Sequence, residues 1–230
     1  MNGKETIKIT EEERAFRDLN RATYNSGRMA EAYAQAAEFY AAHPGSLYAR
    51  FAFAVMSGDY SEDASLPEAR RKELLAEAQR LSREVYESPE MPRWELATAA
   101  RNEYFWFHGL HAEQYALGEA RVAAGEPRGY YSMCVGAACL AGKTLREGGG
   151  RAAAEIWAAR AVRAFHEFEK LDPAWFNINP FYARALAILG DGPGALAAFR
   201  DMYRKQKAPV KEAELARFHA EIEELLALRG

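Results

Sequence analysis

The sequence is poor in the residues that make strands. Val, Ile and Thr together fill 17 of 230 positions, and β-branched side chains are the ones that favour a pleated surface. No segment shows the period-two alternation of a half-buried strand. Cysteine is scarce too. Cys134 and Cys139 stand five residues apart on one expected helix and point in different directions, which argues against an intrachain disulfide. A reduced, cytoplasmic setting is the default for such a chain. Met1 to Thr10 contains no apolar stretch of the secretory kind. The uncharged run Gly129 to Ala141 is too short and too glycine-rich to span a bilayer. The net charge of −3, from 30 basic and 33 acidic groups, gives no basic excess of the sort that marks a nucleic-acid face. Neither a membrane nor a nucleic acid is expected as a partner.

What the chain has is alanine, at 46 positions, and alanine is the best helix former. At 49% hydrophobic it can bury a core, and its length suits one compact domain or one stack of about five helical hairpins. The chain reads as all-α.

Punctuation divides it. Residues 1–9 read as an extended N-terminal arm, and 10–230 as a single helical domain. Thr10-Glu11-Glu12-Glu13 is a capping box that opens a helix over about 11–25. Gly27 separates it from a helix over 28–42, which His43-Pro44-Gly45 ends. A third helix is expected over 46–57, followed by a polar loop from Ser57 to Ser65, long enough to count as an insertion. Pro67 opens a fourth helix over 67–87, with Leu74, Leu75, Ala78, Leu81 and Val85 as its apolar stripe. Further helices are expected over 92–108, 111–124, 128–146 and 151–170. Asn179 is placed to cap the next, with Pro180 at its first position. Gly190 ends that helix, and two more follow over 193–206 and 211–228.

Three stretches share one spacing. Gly27, Ala32 and Pro44 stand 5 and then 12 residues apart; Ala161 and Pro173 repeat the 12-residue step, with Phe165 between them; Gly190, Ala195 and Phe199 repeat steps of 5 and 4. A turn glycine, a small residue at a helix crossing, a bulky knob and a terminating proline make one repeated unit. With Phe16, Leu19, Glu31 and Leu171-Asp172 beside them, these residues resemble tetratricopeptide (TPR) repeats. The resemblance implies a right-handed superhelix of about five hairpins closed by a capping helix. It implies a non-enzymatic scaffold that binds a peptide or partner protein, because the family consists largely of binding modules. It also implies that the first helix of each hairpin lines a concave face. Arg17, Arg21, Tyr24 and Asn25 would face that groove from the first unit, and Arg50, Arg101, Tyr104, Tyr131 and Tyr182 from later ones. Arg and Tyr together suit a groove, as fork-like donors and rigid amphipathic area. Arg17 and Arg21 stand where members that clamp a peptide's terminal carboxylate carry Lys and Asn, so that clamp is not expected.

Catalytic and metal motifs do not assemble. Gly142-Lys143-Thr144 lacks the first glycine of a phosphate loop, which would fall at Ala137, and no strand precedes it. His108 and His111 are separated by Gly109 and have no ligand cluster around them. The two cysteines lie in an apolar helix that favours inert thiols. An enzyme should bring two or more titratable groups with shifted pKa into one cleft, and no such set is visible in the linear sequence. No catalytic residue, metal ligand or cofactor is therefore assigned. The run Tyr104-Phe105-Trp106-Phe107 sweeps about 300° of a helix, so its rings cannot share one core. Packing between repeats and an exposed anchor for a partner are both open for it. The alternatives to a scaffold are a small-ligand or sensor module with an aromatic-lined pocket and a helical enzyme. Self-association through the flat ends of the stack is open as well.

Overall fold

The computed structural model describes residues 5–207 and 209–228. It contains α1 (Glu11–Asn25), α2 (Met29–Ala42), α3 (Leu47–Ser61), α4 (Glu68–Tyr86), a 3-10 turn (Met91–Arg93) and α5 (Ala97–Phe107). There follow α6 (His111–Ala123), α7 (Gly129–Arg146), α8 (Arg151–Leu171), α9 (Asn179–Leu189), α10 (Gly192–Gln206) and α11 (Glu212–Ala227). The described residues are all-helical apart from connections and one isolated bridge between Ile7 and Trp94. No helix among them is long and apolar enough to cross a membrane. The chain divides into two compact units, Met1–Gly109 and Leu110–Gly230.

Local chemistry starts and stops the helices. The Thr10 hydroxyl accepts from the Glu13 N–H (3.1 Å) and the Glu13 carboxylate accepts from the Thr10 N–H (2.8 Å), closing the capping box. Ser46 and Asp191 cap α3 and α10 through the N–H groups of Ala49 and Gly194. Gly190 ends α9 in the left-handed region at φ 97°, where a side chain would be strained.

Within the first unit α1 packs on α2 and α3, α3 on α2, α4 and α5, and α4 on α5. Within the second, α7 packs on α6, α8 and α9, and α9 on α8, α10 and α11. Within each unit, then, consecutive odd-numbered helices touch each other, α1 to α3 to α5 in the first and α7 to α9 to α11 in the second. Small residues permit these crossings: Ala32, Ala161 and Ala195 are fully buried. Phe165 on α8 stacks on Tyr182 of α9 at 3.8 Å and 3°. Thirty-four residues later Phe199 on α10 stacks on Phe218 of α11 at 3.8 Å and 5°. Ala161→Leu should overpack the α8 crossing and cost about 1–3 kcal/mol. Thermal denaturation checks this, and an unchanged melting temperature would remove Ala161 from the crossing.

Several boundaries differ from the sequence expectation. α3 does not stop at Ser57 but continues to Ser61 through the polar run. The Ser61 hydroxyl donates to the Gly58 carbonyl (2.6 Å), and the Phe107 ring fills the space a side chain at Gly58 would need. The Ser57 hydroxyl donates to Glu77 of α4 (3.3 Å). The fifth helix starts at Ala97 rather than near 92, because Trp94 is drawn into extended backbone beside Ile7. Asn179 does not cap α9. Its amide is buried and donates to the Ala198 carbonyl (3.0 Å) and to Asp201 (3.3 Å), tying α9 to α10. Leu19 is 59% exposed.

Candidate functional site

In the first unit, α1, α3 and α5 bring four polar side chains to one place. Tyr24 comes from the end of α1, Asp59 from the last turn of α3, and Asn102 and Glu103 from the middle of α5. Tyr24 donates to the Asp59 carboxylate, Asn102 donates to Glu103, and Glu62 adds negative charge beside Asp59. Asp59 and Glu103 are half-buried. Burial, and then the neighbouring Glu62, push the Asp59 carboxyl up to about 7 against the Tyr24 hydrogen bond. Burial, and then the charge of Asp59, push the Glu103 carboxyl up to about 8. Tyr24 and Glu62 thus act on Asp59, and Asp59 and Asn102 on Glu103. Among the described residues no cluster of three or more side chains is suited to hold a metal.

Neither acid was legible as part of a site. Asp59 lay in the expected loop of residues 57–65, and the extension of α3 is what turns it toward α5. Glu103 is 44 residues further on and was one acid among many. The usable signal was the run Asn102-Glu103-Tyr104 inside an aromatic helix, where a carboxylate is expensive to bury.

The expected groove residues fall into two groups. Arg17, Arg21, Tyr24 and Asn25 stay on α1, with Arg17 paired to Asp18 at 3.1 Å and Arg21 and Asn25 exposed. Arg101 is half-buried on α5. The others are engaged with even-numbered helices or loops. Arg50 pairs with Glu84 of α4 (3.3 Å) and donates to the Pro44 carbonyl (3.2 Å). Tyr104 stacks on Tyr86 of α4 (4.1 Å, 10°). In the second unit Tyr131 packs on Phe168 (5.7 Å) and Trp175, and Tyr182 on Phe165. Of the aromatic run, Phe107 is buried against α3, while Tyr104, Phe105 and Trp106 are half-buried.

The second unit uses its charges differently. Arg184 of α9 grips Glu221 of α11 with both arms of its guanidinium (2.8 and 3.1 Å), and Arg146 of α7 reaches Glu221 (3.4 Å) and Glu224 (3.0 Å). Burial works to raise the Glu221 carboxyl, but Arg184 and Arg146 together bring it below its ordinary value. The network locks the last helix onto α9 and α7. Burial pushes the Cys139 thiol, beside this network, up to about 12, and that of Cys134 higher still. Arg184→Gln should cost about 1–3 kcal/mol, since it takes the bidentate partner from a half-buried carboxylate and leaves it only Arg146 at 3.4 Å. Glu221 has a depressed folded pKa, so its stabilisation is present above the unfolded carboxylate range and is lost as pH falls. The penalty should therefore be full at pH 7 and shrink below pH 4, as denaturant titrations at both pH values will show. An equal penalty at both would reject the ion-pair account. Beside α11 lies an open depression of about 460 Å³, lined by Pro193, Leu196, Ile222 and Leu226 and edged by Arg200, His219 and Glu223. It is aliphatic rather than aromatic.

No protein-family model, curated protein or solved structure matches the chain.

Proposed function

We propose that the chain is a non-enzymatic scaffold of TPR-like hairpins that holds a peptide or partner protein against a face made by the odd-numbered helices of one unit or the other. The observation that carries this reading is the packing order. In each unit consecutive odd-numbered helices touch one another, α1 to α3 to α5 and α7 to α9 to α11, so they form a continuous surface. The aromatic stacks 34 residues apart support the repeat reading. A preformed surface of this kind binds without large rearrangement, which limits the ordering cost of association. The face of the first unit includes the Tyr24, Asp59, Asn102 and Glu103 cluster, and that of the second the Arg184–Glu221–Arg146 network.

Selection from a displayed peptide library, followed by amide chemical-shift mapping, tests the proposal. Selected peptides should perturb amides of α1, α3 and α5, or of α7, α9 and α11, and leave α2, α4, α8 and α10 nearly unmoved. Perturbations centred on the even-numbered helices would reject it. A second reading draws on one observation: Asp59 and Glu103 are two convergent acids with raised pKa, the arrangement used in general acid–base catalysis. The scaffold is preferred because those acids belong to the same surface as the rest of the face.

A further inference from the structure

The arm before α1 has a seat of its own. The Ile7 N–H donates to the Arg93 carbonyl (2.9 Å), the Glu95 N–H donates to the Ile7 carbonyl (3.0 Å), and the Ile9 N–H donates to the Glu95 carboxylate (2.7 Å). Ile9 is 4% exposed and packs in one cluster with Leu47, Tyr48, Ala52, Trp94 and Ala100, against which Ile7 is half-buried. Thr6, Lys8 and Thr10 stay exposed. Burial therefore alternates along the arm with the period of a strand.

The seat is built by α3, α5, Val85 of α4 and the turn between α4 and α5, with Phe16 and Phe39 beside it; α3 packs on α4 and α5, and α5 on α4 and the turn. From its occupant it takes only what an extended segment with two aliphatic side chains carries. It binds the N–H and C=O of the first aliphatic residue, the N–H of the second, and the two side chains two positions apart. Main-chain bonding with pockets for alternate side chains is how a strand is added to another protein. Three hydrogen bonds and one fully buried side chain are few beside helix-on-helix packing, so the arm can open locally while the helices persist.

We propose that this seat is an exchangeable docking site for an extended segment of a partner protein with two branched aliphatic residues two positions apart, held closed by the chain's own arm. The occupant's chemistry is read from the segment already seated there. The seat is read at the Ile7 and Glu95 amides, which lie outside the helices whose amides report on the odd-helix face, so the two proposals fail separately.

Two measurements on the full chain test it. In hydrogen exchange of the wild type, the Ile7 and Glu95 amides should exchange together, at least a hundredfold faster than the amides in the middle of α3. The probe for binding is a labelled synthetic peptide of residues 4–10, read by fluorescence anisotropy. Ile9→Glu, which opens the seat by placing a charge in it, should bind the peptide at least tenfold more tightly than the wild type, and a peptide carrying the same substitution should not bind. Exchange of Glu95 only together with α3 would show the arm to be a fixed part of the fold and overturn the proposal. So would equal peptide binding by wild type and variant, failure of the variant to fold, or dimers formed by exchanged arms.

Discussion

Gly136→Ala should lower the stability of the second unit, and Gly142→Ala, six residues further along the same helix, should raise it. In a free helix both changes are favourable by about 1 kcal/mol, because alanine loses less backbone entropy than glycine. The tertiary environment reverses the sign at one of them. A Cβ at Gly136 would lie 2.7 Å from the His111 carbonyl oxygen and 2.8 Å from the Tyr115 nitrogen, both backbone atoms of α6. No rotamer change relieves such a contact; the two helices must move apart. Overpacking of this kind costs about 1–3 kcal/mol or more, which outweighs the propensity gain. The same crossing brings Gly118 and Gly129 together, where a Cβ on either would meet the other's carbonyl oxygen at 2.7 or 2.5 Å. At Gly142 the nearest group is the end of the Arg146 side chain at 3.5 Å, an ordinary contact. Thermal melts of the two variants decide the matter, and stabilisation by both would mean that α6 and α7 do not approach so closely.

The double variant Asp59→Asn, Glu103→Gln should be more stable than the wild type at pH 8.5 and indistinguishable from it near pH 4. Both carboxyls have folded pKa values raised above the unfolded ones, to about 7 and about 8. The folded state therefore binds protons more tightly than the unfolded chain. The corresponding stability is fully present below the ordinary carboxylate range and is lost as pH rises through 7 and 8. The amides keep the shape and the hydrogen bonding of the neutral acids but cannot ionise, so the variant's melting temperature should stay nearly flat over that window. Chemical denaturation of both proteins at half-unit steps between pH 4 and 9 measures the difference. Parallel curves would show that the two acids are solvated rather than enclosed. Such a pair, destabilising at neutral pH, is the arrangement in which a function retained at the expense of stability is expected.

Much of the fold could be read from particular residues. Abundant Ala and scarce Val, Ile and Thr indicated helices throughout, Thr10 and Glu13 marked the first of them, and Gly27 and Gly190 marked turns that stand where expected, at φ 80° and 97°. These are local effects, decided within a few residues by capping, entropy and sterics. The end of α3 was misplaced because Ser57 to Ser61 is polar and turn-like on its own. It is helical because Gly58 admits the Phe107 ring and Ser57 meets Glu77, partners 49 and 20 residues away. The Ile7-Lys8-Ile9 alternation was present in the sequence but too short to announce a strand, and only the backbone of Arg93 and Glu95 gives it something to pair with.

The amino-acid sequence thus determined by itself that this protein would be built of helices, roughly where each would begin and end, and which small and aromatic residues would repeat. Tertiary structure alone decided that Asp59 and Glu103 face each other, that Gly118, Gly129 and Gly136 carry a helix crossing, that Arg184 holds Glu221, and that the arm lies against Trp94. Helix propensity and capping are sums over neighbours in the chain, whereas a carboxylate's pKa, a glycine's clearance and a strand's partner depend on groups brought close only when the helices pack.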